Sequence, residues 1–150
     1  PFLKIGERNN QIFGEFRTGI FAPDKSRESI LESLRLGKTI ATNGPVANIT
    51  RINNHTSLLG SEIKGGLCIH CQTLSSQEFG TIDKVILYEG SIGNRYEHIL
   101  YEQKNIETYS YNFDWSISVN QQKYVRLEVY TENPVNKKQC FCITNPVWFI

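Results

Sequence analysis

The sequence predicts a mainly β protein: an immunoglobulin-like β-sandwich of about seven or eight strands, preceded by an extended segment and one short amphipathic α-helix. Three observations carry this. From Val46 onward, short stretches that alternate apolar and polar residues are separated by turns containing Gly or Asn. Only one stretch, around residues 26–36, fits a helical wheel. Hydrophobic residues make up 39% and charged residues 21% of the 150, enough apolar surface for one real core and too little charge for a disordered chain.

Residues 1–45 read as a lead-in and 46–150 as the sandwich domain. The chain opens with an apolar patch, Phe2, Leu3 and Ile5, and a polar turn, Glu7 to Asn10. Residues 12–21 alternate as a strand, with Phe16, Thr18 and Ile20 on one side and Glu15, Arg17 and Gly19 on the other. A helix follows. Pro23 with Asp24 or Ser26 supplies its start, because a short side-chain oxygen can accept from an unpaired N–H of the first turn. Gly37 supplies its stop, because it tolerates positive φ. Ile30, Leu31 and Leu34 form the stripe expected to be buried, while Glu28, Ser29, Glu32, Ser33 and Arg35 are expected to face water. The β-branched run 38–42 then breaks at Asn43-Gly44-Pro45, where positive φ and a missing donor predict a bend between two extended segments.

Candidate strands in the sandwich are 47–53, 67–74, 84–89, 96–101, 107–115, 124–131, 140–143 and 147–149. Turns or hairpin-like excursions are expected at 59–66 and 90–94. Alternation assigns faces: Val125, Leu127 and Val129 oppose Tyr124, Arg126, Glu128 and Tyr130, and Leu67, Ile69 and Cys71 oppose Cys68, His70 and Gln72. Tyr109, Tyr111, Phe113 and Trp115 fall on one side. Such a row is either a buried face or a platform for stacking a sugar, and burial is the better use of four rings in a sandwich.

The segment FGEFRTGIFAP, the helix ending SLRLGK, the run TIATNGPV and the closing ITNPVW carry a resemblance. In order and spacing they are similar to the C-terminal part of metallohydrolases of the polymerase-and-histidinol-phosphatase (PHP) superfamily, over about residues 10–50 and 140–150. The matching residues are Gly37, Thr42, Asn43, Gly44, Pro45, Asn145 and Pro146, expected to be structural. Arg17 matches an Arg of that family's strand, which implies a place facing the substrate cleft; the alternative is a surface ion pair with Glu15.

The resemblance also implies what this chain leaves to others. The family holds divalent metals through His-x-His, further His and acidic ligands and a final Asp-x-His, because a bound metal makes hydroxide available near neutral pH. Here there are three histidines, His55, His70 and His98, and neither pattern. The chain is therefore expected to be a C-terminal accessory domain without catalytic residues, metal ligands or cofactor of its own. Its expected partner is the N-terminal barrel of the same polypeptide, which would carry the divalent metals, with oligomerisation permitted. A free-standing module binding carbohydrate or protein is the alternative, using the aromatic row or the outward Tyr88, Tyr124 and Tyr130.

A net charge of +1 with scattered basic residues gives no electrostatic footprint for nucleic acid, and no apolar run reaches the ~20 residues of a membrane helix. Cys68-x-x-Cys71 and Cys140-x-Cys142 are poorly spaced for zinc, because the first pair falls on opposite faces of a strand. Reduced strand thiols are expected, with a disulfide between the two segments possible only if their strands adjoin. Asn48-Ile49-Thr50 and Asn54-His55-Thr56 match the glycosylation pattern, but the bacterial character of the family favours a cytoplasmic setting in which neither is modified.

Overall fold

The computed structural model describes residues 16–133 and 135–150. Along the chain run β1 (Arg17–Ile20), α1 (Arg27–Arg35), β2 (Thr39–Thr42), β3 (Val46–Arg51), β4 (Asn54–Ser57), β5 (Glu62–Ile63), β6 (Leu67–Leu74), β7 (Thr81–Ser91), β8 (His98–Thr108), β9 (Ser110–Ile117), β10 (Lys123–Glu132), β11 (Gln139–Thr144) and β12 (Val147–Phe149). They form two sheets, of eight and four strands, around one core. The mainly β, two-sheet architecture agrees with the sequence.

Strand β10 is the spine of the large sheet. One edge pairs along its length with β7, which pairs with β8. The other edge is shared: β11 takes Glu128 to Glu132 and β12 takes Lys123 to Val125. Between them the chain bends at Asn145-Pro146, and the Thr144 hydroxyl accepts from the Leu127 backbone N–H at 2.9 Å, satisfying a donor that neither strand reaches. Strands β2 and β1 extend the sheet beyond β11, and β5 runs parallel to β12. The small sheet is ordered β4-β3-β6-β9.

The core lies between the sheets. Val125, Leu127 and Val129 face Ile49, Ile69 and Cys71 in one cluster, all fully buried, as alternation predicts. Each aliphatic side chain so buried contributes on the order of 2 kcal/mol.

Four expectations need correction. The helix is rotated: Leu31 and Leu34 are each 42% exposed, while Ser33 is buried and Ser29 and Ile30 are half-buried. The short return through Gly37 brings Lys38 N–H onto the Ser33 carbonyl, so the small Ser33 sits where the backbone approaches most closely. The Ser26 cap is as expected, its hydroxyl accepting from Ser29 N–H at 3.2 Å. Second, the expected strand 107–115 is split at Tyr109, where the chain crosses from β8 in the large sheet to β9 in the small one. Third, the expected strand 96–101 begins only at His98 and runs to Thr108, leaving Tyr96 outside it and 72% exposed. Fourth, neither Asn43 nor Gly44 uses positive φ. Gly44 is needed for room, since a Cβ there would stand 2.6 Å from the Phe79 ring.

Candidate functional site

The residues that carry the family resemblance gather where the lead-in joins the sandwich. Thr42 ends β2, and its hydroxyl accepts from Gly44 N–H at 2.9 Å and donates to the Pro45 carbonyl at 2.5 Å. Asn43 bonds Phe141 twice, through its backbone N–H and through its side-chain oxygen. This four-residue corner carries the chain from the large sheet to β3 in the small one with its polar groups paired. At the far end of the sequence, the Asn145 amide donates to the Gly37 carbonyl at 2.9 Å and its backbone N–H to Thr39. The Pro146 carbonyl accepts from Gly60 N–H. The motif residues thus act as staples: they close backbone hydrogen bonds at bends where strand ladders stop.

Arg17 opens β1 opposite Thr42, is exposed, and makes no ion pair with any described residue. Its alternative partner, Glu15, lies outside the described residues, as do Phe2, Leu3, Ile5 and the turn at 7–10.

The outer face of the large sheet carries a second assembly, built on the Tyr124, Arg126, Glu128 and Tyr130 face of β10. Arg126 forks onto Glu97, with Nε to Oε1 at 2.7 Å and Nη2 to Oε2 at 2.5 Å, and also bonds Glu128. Tyr124 donates to Glu97 at 3.1 Å and Tyr130 to Glu128 at 2.6 Å. The Arg126 guanidinium lies 4.5 Å from the Tyr88 ring centre and Lys84 Nζ 4.4 Å from that of Tyr130. The hydrogen bond from Arg126 holds the Glu97 carboxyl below the usual range, and Glu97 in turn holds the Arg126 pKa above its usual value. Alternation places Arg126 and Glu128 on this face, whereas Glu97, expected inside a strand over 96–101, precedes β8 in an irregular stretch.

The aromatic row is wedged between the sheets. Tyr101 of β8 stacks on Phe113 of β9 at 4.4 Å, lies 5.7 Å from Trp115, and its hydroxyl meets that of Tyr111 at 2.5 Å. Burial, then that hydrogen bond, pushes the Tyr101 hydroxyl up to about 12. Tyr109, at the crossing, is 45% exposed and apart from this layer.

On the outer face of the small sheet, His70 Nδ1 meets Asp114 Oδ1 at 2.5 Å. Alternation puts His70 on the face away from Ile69 and Cys71, but only the β6–β9 register sets it opposite Asp114. His55 lies in β4, and His98 is exposed at the start of β8. None of the four cysteines forms a disulfide. Burial raises the pKa of Cys71, helped by the Asp114 charge, and pushes Cys142 up to about 12. Among the described residues no group of three or more His, Cys, Asp or Glu side chains could hold a metal ion. No described helix is long and apolar enough to cross a membrane.

No family model, no curated protein and no solved structure matches the chain.

Proposed function

We propose that this chain is a non-catalytic accessory domain of a PHP-type metal-dependent hydrolase of the phosphoesterase kind, in which it caps the barrel or shapes the substrate entrance. The observation that carries the reading is the outward face of α1. Leu31 and Leu34, one helical turn apart, stay 42% exposed, and Leu36 just beyond them is 47% exposed. A helix of nine residues that turns its leucines away from its own sandwich suits packing against a further domain. The family motifs support it by their ordered recurrence and by fixing the exit of this helix to the last bend of the domain through Gly37 and Asn145. The two-sheet architecture is compatible with the immunoglobulin-like sandwich that the strand pattern of the sequence predicts.

A free-standing carbohydrate module has less support. Stacking a sugar needs open ring faces, whereas Arg126 and Lys84 lie over Tyr88 and Tyr130, and Tyr101 covers Phe113.

The coding sequence upstream of Pro1 is the test. An in-frame segment with His-x-His and a final Asp-x-His supports the proposal, and an in-frame stop immediately upstream refutes it. In the longer polypeptide, Leu31→Lys with Leu34→Lys should loosen the domain from the barrel and lower metal-dependent hydrolysis of an aryl phosphate. Unchanged hydrolysis and unchanged thermal unfolding of that polypeptide would remove the helix from the interface.

A further inference from the structure

Two neighbouring concavities, of about 430 and 270 Å³, share His55 in their walls. Arg51, His70 and Asp114 line the first, and Lys38 lines the second. Five elements or their flanks contribute: Lys38 precedes β2, Arg51 ends β3, and His55, His70 and Asp114 belong to β4, β6 and β9. Among the described residues Asp114 is the only carboxylate in either wall, and it is engaged by His70. The side chains of Arg51, His55 and Lys38 make no hydrogen bond or ion pair with a described residue. In a chain of net charge +1, Arg51, His55, His70 and Lys38 line these two adjoining concavities, against one carboxylate that His70 engages.

From this juxtaposition we propose that the groove between the β3–β4 hairpin and the start of β2 binds a small oxyanion, a phosphoryl or sulfuryl group. Arg51 offers the planar fork that suits two oxygens of such a group. Asp114 accepts a hydrogen bond from His70 Nδ1–H and fixes that ring, so its Nε2 donates to the ligand when the imidazole carries both protons. Lys38, on the far side of His55, favours a ligand with a second anionic group over an isolated one. A bare divalent cation is disfavoured, because Arg51 and Lys38 repel it and, among the described residues, no group of three or more His, Cys, Asp or Glu side chains, His55, His70 and Asp114 included, could hold a metal ion.

The test is titration of the 150-residue chain with inorganic phosphate and with pyrophosphate at constant ionic strength, followed by amide and imidazole NMR shifts. Saturable shifts confined to residues 51–56, His70 and Lys38 are expected, with pyrophosphate binding more tightly than phosphate. Arg51→Gln should weaken pyrophosphate about tenfold through loss of its charge-assisted hydrogen bonds. Lys38→Gln, at a site away from the His70 pair, provides a second variant with the same expectation, and Lys104→Gln on the other sheet should change nothing. Shifts that do not saturate, that fall elsewhere, or that persist unweakened in Arg51→Gln and Lys38→Gln would overturn the proposal. So would saturation of the same imidazoles by zinc with none by either anion.

Discussion

The Asn145 side-chain amide donates to the Gly37 carbonyl at 2.9 Å, joining the last bend of the sandwich to the exit of the helix across 108 positions of sequence. Gly37 and Gly60 also approach so closely that a Cβ on Gly60 would stand 1.9 Å from the Leu36 carbonyl oxygen. Helix, corner and final strand therefore meet at one point.

Asn145→Ala removes this donor and leaves the half-buried Gly37 carbonyl with the Thr39 N–H alone. The expected cost is about 1–2 kcal/mol of unfolding free energy, read from urea denaturation. Asn145→Asp, which cannot donate when ionised, should fare no better at neutral pH.

Gly44→Ala presses a methyl group into the Phe79 ring and should destabilise by about 1–3 kcal/mol. In a Phe79→Ala background the same substitution should cost much less. A double-mutant cycle with no coupling would show that the backbone, and not the ring, sets the requirement for glycine.

Arg126→Gln or Glu97→Gln should each cost about 1.5–3 kcal/mol at pH 7, since each leaves a largely covered charge with fewer hydrogen bonds. The pH dependence has a definite sign. Arg126 depresses the Glu97 carboxyl, so this stabilisation is present above the unfolded carboxylate value of about 4.3 and is lost as pH falls through the lower folded value. The gap in stability between the parent and Arg126→Gln should therefore narrow from pH 7 to pH 3 in paired denaturation curves.

Native thiols should divide one to three. Cys68 is half-buried, whereas Cys71, Cys140 and Cys142 are buried, with the Cys71 and Cys142 pKa values raised. An aromatic disulfide reagent should titrate a single fast thiol in the folded chain and all four in denaturant. Cys68→Ser should abolish the fast phase.

The legible parts of this molecule are those whose physics is local. Alternation found the dry face of β10, because successive side chains of any strand point to opposite sides. Ser26 and Gly37 marked the helix ends, because caps depend on neighbours a few residues away. The wheel failed for α1 because hydrophobicity names a face that favours burial without naming what lies there. Here the domain offers Ser33 the closest approach and leaves Leu31 and Leu34 outward. The His70–Asp114 and Arg126–Glu97 pairs were invisible for a related reason: 44 and 29 residues separate the partners, and only strand register or a loop path brings them together.

By itself, then, the sequence determined the β class, most strand interiors, the helix with its caps and the inward side chains of β6 and β10. Tertiary structure alone decided that β11 and β12 share one edge of β10, that the chain changes sheet at Tyr109, and which basic groups face one groove. The reason is range: propensity and periodicity act over two to four residues, whereas sheet order is chosen by hydrogen bonds and packing between segments that no local pattern pairs.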